Sequence, residues 1–136
     1  MIKIIGIIAL TLGLCATARA EVDPRGPWVG WAVSRSGHVT TSDQKNTIDE
    51  ALIESFTRCV FETHSDCRPY HVRPDTTIYA LHCNDSRGHE ETFVGFTPKE
   101  EVFVHWGRWT ARKDARDAGF VEGQCGIVYS DEPSDK

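Results

Sequence analysis

The sequence predicts an α+β domain with a small, mostly antiparallel sheet, two helices and two disulfides, and three observations predict it. Short β-favouring runs recur between turn residues, at 28–34, 67–72, 76–83, 91–97 and 124–129. A segment opening at Thr47 pairs a helix cap with an apolar stripe of helical period. Four cysteines, Cys59, Cys67, Cys83 and Cys125, remain once the first twenty residues are set aside, an even number in a small exported chain.

Those first twenty residues have the form of an export signal. Met1-Ile2-Lys3 gives a short positive start, residues 4–14 are apolar and uncharged, and Ala18-Arg19-Ala20 places small residues where a signal peptidase reads. Residues 1–20 therefore read as a cleaved signal peptide, 21–129 as one globular domain and 130–136 as a polar tail that frays. The apolar run of about a dozen residues is short of the roughly 20 that span a bilayer. No membrane span is expected, and the destination is the periplasm or the medium.

At 136 residues, with 11 Gly, 6 Pro and 26% charged residues, the chain fits one ordinary domain and excludes collagen-like or wholly disordered classes. Cleavage removes Lys3 and Arg19 and no acid, leaving 13 basic against 20 acidic side chains over 116 residues. An acidic chain lacks the clustered cations that counterion release on a nucleic acid requires. It suits a basic protein partner instead.

The elements follow in order. Residues 28–34, between Pro27 and Ser36-Gly37, read as a core strand. Thr47-Ile48-Asp49-Glu50 has the capping-box form, and Ile48, Ala51, Leu52, Ser55, Phe56 and Cys59 make the buried stripe of the helix it opens. Strands at 67–72 and 76–83 flank Arg73-Pro74-Asp75, residues 84–88 read as a turn, and 91–97 as another strand. Thr97-Pro98-Lys99-Glu100 resembles a second helix start, with a hydroxyl cap and Pro at the first position. Val102-Phe103-Val104 favours a strand, but a helix over 98–118 ended by Gly119 is the preferred reading. Residues 124–129 form the last strand. Trp28, Trp31 and Trp106 are assigned to the core.

A degenerate repeat of strand, helix and Cys-led strand is visible. It runs through 28–34, 48–59 and 67–72, and again through 91–97, 98–119 and 125–129. On Gly30-Trp31-Ala32, then Ala51-Leu52 through Cys59, then Cys67, the chain resembles a family of small secreted bacterial proteins known only as a domain of unknown function. No Cys precedes Cys125 at the matching helix end, so the second half departs from the pattern. The resemblance implies an exported repeat domain and no activity.

Of the three possible cysteine pairings, Cys59 with Cys67 and Cys83 with Cys125 is preferred, because the first would tie a helix end to the next strand. The same region offers an alternative. Cys59, His64, Cys67 and His71 are spaced Cys-x4-His-x2-Cys-x3-His, residue types that bind zinc or copper when the thiols are free. Oxidation in an exported protein would remove that site, so no metal or other cofactor is assigned.

If 98–118 is helical, His105, Arg108, Trp109, Arg112 and Arg116 share one stripe. It could bind an anionic or sugar-containing partner through guanidinium forks and an indole face, unless Glu101 and nearby acids neutralise it. His82, Asp85, His89, Glu90 and Glu91 offer generic acid and base groups, but the chain has no Gly-x-Ser-x-Gly elbow, His-Glu-x-x-His helix or phosphate-binding glycine loop. The expectation is a small exported binding protein, an inhibitor or immunity-type module whose partner is a protein, such as a basic exported enzyme, or the cell wall. A metal-binding envelope protein and a small hydrolase are the alternatives.

Overall fold

The computed structural model describes residues 26–133; the signal peptide expected at 1–20 lies outside them. Among the described residues the order is β1 (Val29–Ser34), β2 (Val39–Thr41), α1 (Ile48–Thr63), β3 (Cys67–Val72), β4 (Thr77–Asn84), β5 (Glu90–Thr97), α2 (Trp106–Asp117) and β6 (Cys125–Ser130). All strand pairs are antiparallel, and they form two sheets of three strands, ordered β2-β1-β3 and β5-β4-β6. The protein is thus α+β, with the expected single sheet divided in two.

Side-chain alternation fixes how the layers stack. Gly30 of β1 faces α1, so Trp31 points the other way, and its ring meets Tyr129 of β6 at 5.1 Å. Tyr70 of β3, directly opposite Trp31, meets Phe96 of β5 at 5.3 Å. The two sheets therefore pack face to face, with α1 outside one and α2 outside the other. Trp28 and Trp31 are buried as expected.

Each unit has the connectivity strand, strand, helix, strand, with its first strand in the middle of the sheet. This revises the sequence repeat, since the second unit begins at β4, one strand earlier than the Gly-centred run at 91–97. The local likeness is still physical. Gly30 lies so close to α1 that a Cβ there would sit 1.9 Å from the Ala51 carbonyl oxygen, and a Cβ on Gly95 would sit 1.8 Å from that of Gly107 in α2. Only a residue without a side chain permits either approach.

α1 begins where the capping pattern puts it, Thr47 Oγ1 accepting from the Glu50 amide at 3.2 Å. Ala51, Ser55 and Cys59 form its buried stripe, whereas Phe56 is 41% exposed because the close sheet contact accepts only small side chains. Cys59 is bonded to Cys67, joining the last turns of α1 to the start of β3, and Cys83 to Cys125, joining β4 to β6. By the chain-entropy account these closures stabilise by about 2.5 and 4 kcal/mol. Two disulfides fit an oxidising compartment. No helix among the described residues is long and apolar enough to cross a membrane.

Three expectations are corrected. The helix read over 98–118 starts only at Trp106, because Thr97 stays paired to Thr77 as the last residue of β5 and the chain turns through 98–105. That leaves Val102 and Phe103 exposed in the turn, and Trp106 outside the core at 40% exposure. Of the tail expected to fray over 130–136, the described part is held by Asp131, whose Oδ1 accepts from the Ile78 amide, and by Glu132, whose side chain is fully buried; residues 134–136 lie outside the described residues.

Gly30→Ala and Gly95→Ala should each destabilise the fold by about 3 kcal/mol, since backbone must move to admit the methyl group. Urea unfolding midpoints of both variants, beside Gly88→Ala, where a Cβ meets no atom within 4 Å, check this; Gly88→Ala carries only the strain of its φ of 82°.

Candidate functional site: the basic face of α2 and the cleft over β6

The position of Gly95 decides where a cleft opens. In the first unit the close-contact glycine lies on the central strand β1, so α1 sits over the middle of its sheet. In the second it lies on the edge strand β5, which draws α2 over β5 and β4 and leaves β6 uncovered. The gap is an open cleft of about 680 Å³ with Arg112 and Arg116 of α2 on one side, Ile127 of β6 on the other, and Tyr79, Leu81 and Phe120 at its floor. Its volume is that of a ligand-sized site, and its lining is mainly apolar with a few polar groups, as such sites are built.

The stripe predicted from sequence is divided by the fold. Its N-terminal part is occupied from within. Thr97 Oγ1 accepts from the Gly107 amide at 2.8 Å and donates to Glu132 Oε1 at 3.1 Å, and the Arg108 amide donates to the same oxygen at 3.0 Å. The Glu132 carboxylate, fully buried, also lies 3.4 Å from His105 Nδ1 and 3.8 Å from Arg108 Nε. A carboxylate at a helix N-terminus complements the positive end of the dipole and satisfies its free amides. His105 and Arg108 therefore anchor the C-terminal strand end.

The remaining residues face outward. Trp109, 44% exposed, stacks on Trp106 with centroids 5.1 Å apart and planes 21° from parallel. Arg112 lies over the Tyr79 ring at 6.0 Å, beside Arg108 at 5.5 Å. Among the described residues no carboxylate pairs with Arg112 or Arg116, and Glu101, expected to neutralise the stripe, is turned to the Phe103 amide. The Tyr79 hydroxyl is buried without a hydrogen-bond partner among the described residues, an arrangement that costs about 1–3 kcal/mol.

The four residues of the metal alternative are engaged otherwise. Cys59 and Cys67 are bonded to each other, His64 takes the left-handed conformation that ends α1, and His71 packs edge-on against Trp28 at 5.4 Å. Of the acid and base groups noted in the sequence, His82, Asp85, His89 and Glu90 brace the β4–β5 hairpin, and Glu91 pairs with Arg68 of β3 at 3.5 Å. His82 Nε2 lies 2.8 Å from Glu90 Oε1, and Asp85 Oδ1 accepts from the Arg87 and His89 amides at 2.9 Å each. Burial raises the Asp85 carboxyl, but those amides, together with the charge of His89, outweigh it and hold the group below its ordinary 3.8.

Sequence reasoning missed Tyr79, Phe120, Ile127 and Glu132. Tyr79 and Ile127 read as strand residues, Phe120 falls between the expected helix end at Gly119 and the strand at 124–129, and Glu132 sits in a stretch of tail composition. Only the displacement of α2 makes them site residues.

Glu132→Gln should destabilise the protein by about 2–3 kcal/mol, since the neutral amide gives weaker hydrogen bonds to the helix end, as read from chemical unfolding. Asp85→Ala should lose the turn's hydrogen bonds and lower the unfolding midpoint. With the folded-state value depressed, that deficit is full above the ordinary carboxyl value of 3.8 and disappears as pH falls through the lower one; midpoints from about pH 6 downward for both chains test the sign. Comparison with family models, with curated proteins and with solved structures finds no match for this chain.

Proposed function

We propose that the chain is an exported, disulfide-stabilised binding module, a stoichiometric inhibitor or immunity-type partner of a protein in the cell envelope or outside the cell. The observation that carries this reading is the outer face of α2, where stacked, half-exposed Trp106 and Trp109 adjoin Arg112 and Arg116, two cations without counter-ions among the described residues. Trp and Arg dominate the energetic centres of protein interfaces, because each offers a large apolar or planar surface together with hydrogen-bond donors. A cation left unpaired in a chain of net charge −5 is available to a partner's carboxylate.

Other features support the same reading. The signal-like leader and the two disulfides suit work outside the cytoplasm. The acidic remainder of the chain speeds encounter with a basic exported enzyme, while the arginines recognise the acidic groups that such an enzyme still presents. A wall polysaccharide would meet the same face through the exposed indole.

The test compares wild type with Trp109→Ala/Arg112→Ala, both immobilised, against the envelope and culture fractions of the source cells. The expected outcome is one protein retained by wild type in about equimolar amount and lost by at least about tenfold on the double variant, which corresponds to removing a hot spot. Equal retention of the same proteins by both chains overturns the assignment of this face.

A further inference from the structure

The sheet that forms the cleft also ends at it. β6 is hydrogen-bonded to β4 on one side, and among the described residues no strand pairs with its other side. An open edge is a row of unused backbone donors and acceptors, which proteins ordinarily disable with proline, charge or shortness. The other edges of this protein show those devices: β2 has three residues, β3 carries Arg68 and Pro69, and β5 opens with Glu90-Glu91. β6, Cys125-Gly126-Ile127-Val128-Tyr129-Ser130, has no proline and no charge, and Gly126, Ile127 and Val128 are exposed.

The phase of the ladder identifies the free groups. Cys83 and Cys125 face each other with Cα atoms 4.0 Å apart, the close spacing of a pair whose amides point away from each other. Consistently, the Cys125 amide turns outward and donates to the Glu122 carbonyl. Two residues on, Ile127 has the same phase, so its N–H and C=O face the open edge while its side chain, 56% exposed, lines the cleft. A strand laid along this edge would extend the sheet beyond β6, on the side away from β4, with the alternate side chains of its α2-side face bordering the cleft at Ile127 and opposite Arg112 and Arg116.

We infer that β6 is a docking edge for an extended segment of a partner polypeptide, added antiparallel or parallel as a fourth strand and carrying acidic side chains that face Arg112 and Arg116. The backbone ladder gives affinity, and the cleft with two guanidiniums that have no counter-ion among the described residues gives preference for apolar residues alternating with carboxylates. This inference rests on the reading of the chain as a protein-binding module and specifies how the partner is held.

The experiment uses the full mature chain and a phage-displayed library of random linear peptides of about twelve residues, enough to cover one edge strand. Enriched peptides should combine β-branched or aromatic residues with Asp or Glu. Binding of the synthetic peptides should fall at least about tenfold on Ile127→Pro, a proline whose missing N–H lies on a solvent-facing edge and is tolerated there. A similar loss is expected on Arg112→Glu/Arg116→Glu, which alters only exposed side chains. Far-UV spectra and the absence of free thiols verify that both variants are folded.

Hydrogen exchange gives a second readout. The Ile127 amide should exchange rapidly in the free chain and be protected by peptide. Protection already present in the free chain, whether from the chain's own termini or from a second copy at high concentration, overturns the inference. So does a library that enriches nothing, or peptides that bind both variants as they bind wild type. A natural partner that requires Trp109 yet binds Ile127→Pro unchanged leaves the binding-module reading standing and removes strand addition. Peptides that fill the β6 edge when no natural protein is retained do the reverse.

Discussion

Contact between backbone and backbone, at Gly30 and Gly95, sets the positions of both helices and through them everything else. At each point a strand comes so near a helix that a β-carbon would lie within 2 Å of a carbonyl oxygen. Such contacts are made only by small residues, and the helices comply with Ala51 and Ser55 on one side and Gly107, Ala111 and Ala115 on the other. The two units have the same connectivity but differ in which strand holds the glycine. A central glycine centres α1, and an edge glycine displaces α2, so one unit covers its sheet and the other leaves a cleft.

Displacing α2 also creates a demand at its N-terminus. With no helix before Trp106, the first amides of α2 need acceptors from elsewhere, and they come from Thr97 at the end of β5 and Glu132 beyond β6. Both flanking strands are thereby tied to one helix end. The carboxylate occupies the side chains nearest that end, His105 and Arg108, and both serve the fold. One and two turns further on, Arg112 and Arg116 have no such internal partner among the described residues and line the cleft. The same stripe of side chains is thus structural at one end and available at the other.

On the proposed reading, the available end combines three kinds of recognition. Trp106 and Trp109 offer an aromatic surface, the two arginines offer forked donors, and β6 offers a backbone ladder. Each is weak by itself in water, where exposed charges are screened and exposed amides are already solvated. Side by side around an apolar floor they exclude water from one another when a partner covers them. A buried hydroxyl at that floor, on Tyr79, adds a polar group without a hydrogen-bond partner among the described residues.

Much of the chain was legible residue by residue. The strand runs at 67–72 and 91–97, the capped start at Thr47 and the preferred cysteine pairing depend on local chemistry or on short spans, and the structure has them. The second helix shows where local reading fails. Thr97-Pro98-Lys99-Glu100 has every feature of a cap, yet Thr97 caps Gly107, ten residues away, because cross-strand pairing holds it in β5 and the next residues must turn. The basic stripe was legible as a helical face, since its members recur with the helix period whatever the start. The division of that stripe was not, since Glu132 lies in a segment with the composition of a free tail.

What the sequence by itself determined was the class, the element types, the number of cysteines available to pair and the face on which the arginines lie, all of which follow from composition, period and adjacent residues. Only the tertiary structure decided that the sheet divides in two, that β6 is left as an open edge among the described residues, and that Tyr79, Leu81 and Ile127 line a cleft instead of a closed core. The physical reason is that these depend on where a helix axis sits over its sheet. That position is set by close contacts between residues far apart in the chain, and no local pattern encodes it.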